Sequence, residues 1–285
     1  MSLRETIKQS TRSVRKAWRY RTRGYRCLPD FLIIGAQKAG TTSLYHLLGR
    51  HPGVRPSVGS KETHFFDDKY GLGLEWYRAQ FPIERKGRRT FEATPYYLFH
   101  PLAPCRAAAT QPDLRLVAIV RNPVDRAYSH YQHQVRQGRE PLSFEDALAA
   151  EADRIEQESR DLAAGRIERG RNHRRFSYLA RGRYAEQIER WLAHFSAAQL
   201  HVLSVEALVD APEPTLAQLQ TFLGLPVREL RRGRRYNAGR YRDRMAPETR
   251  ASLEDYFAPH NERLYELLGQ RFDWPTAGAG RNDRT

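Results

Sequence analysis

The chain has 285 residues, 40% of them apolar, enough for one large α/β domain with a packed core. No apolar run approaches the roughly 18 residues of a membrane span, and the basic start lacks the apolar core of a secretory signal. A net charge of +15 draws polyanions, phosphates or anionic membrane surfaces, although Arg outnumbers Lys 42 to 6 and an Arg-rich composition accounts for part of it. Two cysteines, Cys27 and Cys105, give neither a disulfide framework nor metal-ligand spacing.

Residues 1–30 hold nine Lys/Arg against two acids. They read as a basic arm, either a helix on an anionic surface or a frayed segment. A strand is expected at 31–34, then helices at 41–50 and 74–81. Strands at 90–93 and 114–120 follow, then helices at 124–137, 144–164 and 184–195. A strand at 201–205 and helices at 213–223 and 247–269 complete the pattern. Short apolar runs separated by amphipathic helices predict an α/β fold with a parallel sheet covered on both faces. One domain over 31–273 is expected, with a disordered tail at 274–285. Ligands of such sheets bind beyond the carboxyl ends of the strands.

The first strand runs into "GAQKAGTTS", residues 35–43. Gly35 and Gly40 permit a tight turn. The amides of Gly40, Thr41 and Thr42 would open a helix, where free N–H groups and the dipole favour an anion. Thr41, Thr42 and Ser43 add hydroxyls and Lys38 adds a charge, more than a structural turn needs. Yet Lys38 precedes Gly40, whereas the nucleotide loop G-x-x-x-x-G-K-[ST] places Lys after the second Gly. The strand 114–120 also ends in Arg121 and not in a metal-holding acid. In "RNPVDRAYSHYQHQ", Arg121 and Ser129 are set to grip a second phosphate, with Pro123 opening the helix.

These two stretches resemble the sulfotransferases that use 3′-phosphoadenosine 5′-phosphosulfate (PAPS). That family holds the 5′-phosphosulfate with K-x-G-T-T, matched by Lys38, Ala39, Gly40, Thr41 and Thr42. It holds the 3′-phosphate with R-x-P-x-x-R-A-x-S-x-Y, matched from Arg121 through Ser129 to Tyr131. "SKETHFFDDKYGLGLEWYRAQFP" is similar to heparan sulfate glucosaminyl 3-O-sulfotransferases, and "RAYSHYQHQ" is nearer to the N-sulfotransferases. The resemblance spans roughly residues 31–272.

It implies PAPS as sulfate donor, no metal, and a small-molecule or glycan acceptor, with an anionic glycan favoured by the Arg-rich 166–183 stretch if that stretch is not a mobile loop. Glu62 matches the catalytic base, and a pKa not far below working pH is then expected, hence partial burial. Lys38 would stabilise charge on the leaving oxygen. His64 and Asp67 would orient Glu62 or the acceptor hydroxyl, with Lys61 beside them. His133 matches a His near the N-sulfotransferase centre, as a second acid/base, an acceptor contact or an ordinary helix His. Glu92 would hold the acceptor or a motif Lys. Two departures stand out: Ala93 replaces a Lys of the family, and the C-terminal loop is shorter and lacks its disulfide. There, Tyr241 is carried over as an adenine contact, and Arg242 and Arg244 as donor contacts. The missing disulfide and anchor point to a cytoplasmic, bacterial enzyme. A P-loop kinase and a non-catalytic nucleic-acid binder are the alternatives, the latter without any recognised motif.

Overall fold

The computed structural model describes residues 13, 14, 17–230 and 245–274. Its single α/β domain is built on five parallel strands in the order β2-β3-β1-β4-β5. They are β1 (Phe31–Gly35), β2 (Val54–Pro56), β3 (Arg89–Ala93), β4 (Arg115–Val120) and β5 (Leu200–Ser204). The connections carry α1 (Thr41–Leu48), α2 (Leu74–Arg78), α3 (Ala103–Thr110), α4 (Pro123–Arg136), α5 (Phe144–Ala149) and α6 (Glu151–Ala163). They continue with α7 (Arg171–Arg175), α8 (Tyr184–Leu192), α9 (Val205–Asp210), α10 (Pro212–Phe222) and α11 (Pro247–Leu268).

Both faces of the sheet are covered, which is why its central strands read as unbroken apolar runs. Leu32 and Ile34 pack with Ala107 of α3, Trp191 of α8 and Leu264 of α11. Phe31 and Ile33 face the other way, onto Leu44 and Leu48 of α1 and Leu219 of α10. The parallel crossovers deliver the ends of β1 and β4 to one edge of the sheet, where the two anion-binding stretches begin.

Several boundaries differ from expectation for local reasons. The helix foreseen at 144–164 breaks at Ala150. There Glu151 sends its carboxylate inward to accept the N–H groups of Leu179 (2.6 Å) and Ala180 (2.8 Å). β5 stops at Ser204 because that side chain caps α9 through Ala207 N–H. β2 is too short to show a period, and its Pro56 is tolerated at the sheet edge. The last residues of the arm and the first of the tail, as far as they are described, are tied into the domain. Buried Arg26 donates to the Phe81 carbonyl (2.6 Å), and buried Trp274 donates to Glu206 (3.2 Å). Among the described residues no helix is long and apolar enough to cross a membrane.

The turn Ala180–Gly182 is held tightly against α4 and α11. A Cβ on Gly182 would lie 2.5 Å from Phe257 Cε1 and 3.1 Å from Pro123 Cβ. Gly182→Ala is therefore expected to destabilise the domain by about 1–3 kcal/mol, the ordinary range for overpacking, read as a lowered Tm. An unchanged Tm would mean that this packing relaxes freely.

Candidate active site

The loop after β1 is shaped by its backbone. Lys38 and Gly40 both take left-handed conformations, φ 72° and 93°. This is ordinary for Gly but costly for Lys, and such strain persists only where the surroundings enforce it. Gly40 caps α1, and among the described residues no side chain caps its first turn, an arrangement whose free N–H groups favour an anion. Ala39 is buried and spends its N–H on the Ala36 carbonyl, so it shapes the turn and donates nothing outward. Thr41 is buried, whereas Thr42 and Ser43 are half-buried.

After β4, the Asn122 side chain accepts the N–H groups of Val124 (3.0 Å) and Asp125 (3.3 Å), and Pro123 takes the first helical position. The α4 start is thereby fixed beside the first loop, and Arg121 Nη1 reaches the Lys38 carbonyl at 3.5 Å. Ser129 is buried on α4. Burial, then Arg136, Arg121 and Arg126, lowers the Lys38 pKa to about 8. Burial, then Lys38, Arg136 and Arg139, holds His133 below its usual value, which places it by charge in the same basin. Arg126 is fully buried, and its Nε and Nη1 have no partner among the described residues.

On the other side of the loop, Lys61 Nζ lies 3.0 Å from both Thr42 Oγ1 and Glu62 Oε1. It bridges the anion loop to the carboxylate. Glu62 Oε2 is 3.3 Å from His64 Nε2, and Asp67 Oδ2 is 2.7 Å from His64 Nδ1. Burial raises the Glu62 pKa, but His64 and Lys61 outweigh it and hold the carboxyl at about 2. Burial lowers the His64 pKa, but hydrogen bonds to Asp67 and Glu62 raise it to about 9, against the opposing charge of Arg174. Arg174 also places Nη2 2.8 Å from His64 Nε2. A protonated imidazole cannot accept from it there, so Arg174 and Glu62 compete for one nitrogen. Two carboxylates around the ring favour the protonated form.

Three expectations need correction. Glu62 is partly buried as foreseen, yet its pKa lies far below working pH because two cations already bind it. Asp67 is fully buried beneath His64, so it orients that ring and does not touch an acceptor. Glu92 is fully enclosed too, and is open to neither acceptor nor lysine. It accepts the hydroxyls of Thr63 (2.6 Å), Thr94 (2.6 Å), Tyr77 (2.9 Å) and Tyr97 (2.9 Å), anchoring the Thr63 end of the Glu62 loop. Ala93 is buried in the core. Tyr241, Arg242 and Arg244 lie outside the described residues.

The structure adds residues that the sequence reading passed over. Arg174 joins Asp68 (2.5 Å) and His64. Arg181 is buried and donates to Gln37 Oε1 (2.5 Å) in the anion loop. Both sit in the Arg-rich stretch that composition alone made unremarkable. His64, Asp67 and Asp68 bring potential metal-ligand atoms within 4.8 Å of one another. Here the Arg174 guanidinium sits against two of the three.

Residues 28–240 match the family model described as sulfotransferase domain. The chain is 33% identical over 274 residues to heparan sulfate glucosamine 3-O-sulfotransferase 3B1 of Mus musculus, over 88% of this chain and 66% of that protein. It is 34% identical over 273 residues to bifunctional heparan sulfate N-deacetylase/N-sulfotransferase 1 of Mus musculus, over 84% of this chain and 29% of that protein. The chain thus spans just under two thirds of the first protein and less than a third of the second. A solved sulfotransferase from Alicyclobacillus acidocaldarius superposes with a TM-score of 0.70 at 31% identity, over 86% of this chain and 98% of that one. With the family model covering most of its length, the chain belongs to the sulfotransferase domain family.

Proposed function

We propose that the chain is a PAPS-dependent sulfotransferase. It moves a sulfuryl group to a hydroxyl, or an amine, of a carbohydrate, glycolipid or glycosylated metabolite and releases 3′-phosphoadenosine 5′-phosphate (PAP). The observation that carries this is the Lys61 bridge, which sets an anion-binding helix start and a candidate base side by side. The residues suit a polyphosphorylated donor. Among the described residues, α1 has no side-chain cap, Lys38 is crowded by three arginines, and two nitrogens of buried Arg126, Nε and Nη1, have no partner.

PAPS supplies an activated sulfuryl group. Around it, the α1 amides and Lys38 hold the 5′ end, and Arg121 and Ser129 hold the 3′-phosphate. Glu62 takes the proton of the acceptor, while His64, fixed by Asp67, orients Glu62. Lys38 stabilises charge developing on the departing phosphate oxygen. A Mg-nucleotide kinase is disfavoured because the one carboxylate on the described strands, Glu92, is saturated by four hydroxyl groups. Sulfuryl transfer is tested by incubating the protein with labelled PAPS and a panel of amine- and hydroxyl-bearing oligosaccharides and glycolipids. Labelled product formed in step with PAP release supports the reading. Label transfer from ATP with none from PAPS overturns it.

The Lys38 environment sets a pH dependence. Its folded pKa of about 8 lies below the usual 10.5, and a bound polyanion favours the charged form. PAP affinity is therefore full below pH 8 and falls above it, by up to about tenfold per pH unit for one coupled proton. Calorimetry at pH 7 and pH 9 checks this. A flat profile, or the same slope in Lys38→Met, contradicts the assignment.

A further inference from the structure

Arg181 stands between the two halves of the site. Its Nη1 donates to Gln37 Oε1 at 2.5 Å, one residue before Lys38. Its Nη2 donates to the Arg174 carbonyl at 2.8 Å, and the Arg174 side chain pairs with Asp68 and lies beside His64. The guanidinium lies 4.8 Å from the Tyr96 ring centroid and 5.1 Å from that of Phe99. Its backbone is fixed from behind. Glu151 accepts the N–H of Leu179 and Ala180, and Gln187 Nε2 donates to the carbonyls of Arg181 (3.0 Å) and Arg183 (2.9 Å). The side chain is 2% exposed. A fork held this rigidly, with one prong on each half, transmits order from one half to the other.

We propose that Arg181 is a positioning residue that couples donor seating to the acceptor side. An anion on residues 36–43 orders Gln37, and Arg181 passes this to α7, fixing Arg174 on Asp68 beside His64. The acceptor side is then complete only when the donor is in place, and by reciprocity an occupied acceptor side tightens the donor. The consequence is ordered binding, donor first. The inference rests on the donor reading above.

The test is hydrogen–deuterium exchange of the full chain with and without PAP. In the native protein, PAP should slow exchange at 36–43 and, by at least about fivefold, the low end of ordinary site-to-site coupling, at 171–181. In Gln37→Ala, the protection at 36–43 should remain and that at 171–181 should vanish. Residues 61–64, tied to Thr42 through Lys61, should stay protected and serve as the control. Arg181→Lys, which keeps the charge and loses the fork, should behave like Gln37→Ala. Protection confined to 36–43 in the native protein overturns the coupling. So does protection at 171–181 that survives in Gln37→Ala. No protection at 36–43 overturns the donor reading, and the coupling with it.

Discussion

Glu62→Gln is expected to lower turnover by about 10²–10⁴-fold, the usual contribution of a positioned base, while PAP affinity stays near that of the native protein. The amide keeps the shape and, through its oxygen, one of the two hydrogen bonds accepted from Lys61 and His64, but it cannot take a proton. Glu62 is held at about pKa 2 by His64 and Lys61, despite the raising effect of burial. A carboxylate so well paired is a poor base at neutral pH. Turnover therefore requires that one of its cations be redirected. Lys61 has the shorter route, because it already touches Thr42 of the anion loop at 3.0 Å. The pair also has a signature in stability. The folded pKa of Glu62 is depressed, so its contribution is present above about pH 4.5 and is lost as pH falls toward 2. That of His64 is raised, so its contribution is present below about pH 6.5 and is lost as pH rises through 9. Turnover unchanged in Glu62→Gln, measured by PAP release with a competent acceptor, would remove Glu62 from the mechanism.

Arg121→Ala should weaken PAP by about 10- to 100-fold, as loss of a charge-assisted hydrogen bond of about 1.5–3 kcal/mol implies. The same variant should bind adenosine 5′-phosphosulfate, which lacks the 3′-phosphate, within about twofold of the native protein, since a group that is absent cannot be missed. This difference separates a 3′-phosphate contact from general attraction. Arg121 belongs to a basin that includes Lys38, Arg126 and Arg136, and removing any cation there weakens every anion somewhat. Equal weakening of both ligands would show that Arg121 contributes only to the field.

The shape of the loop after β1 was legible because its signals are local. A buried strand, a Gly-bearing turn and hydroxyls at a helix start are contiguous at 31–43, and Pro123 marks the start of α4 as plainly. The cluster around Glu62 was legible only where partners sit a few residues apart, as for Lys61, Glu62, His64 and Asp67. Glu92 misled because a carboxylate at a strand end looks available. Only the tertiary placement of Thr63, Tyr77 and Tyr97 shows that it is sealed. Arg174 and Arg181 were hidden by abundance, since one Arg among 42 carries little information until burial singles it out. The break at Ala150 was equally unreadable, because its cause is Glu151 reaching residues 179 and 180.

The loop after β1 is expected to hold a sulfate donor and not a nucleoside triphosphate. Titration calorimetry with PAP in the presence of a chelator, beside ATP with Mg²⁺, tests it most directly. Micromolar binding of PAP without added metal, with ATP·Mg²⁺ markedly weaker, is the result this account predicts. Binding of ATP·Mg²⁺ with no heat from PAP would contradict it and return the loop to phosphoryl transfer.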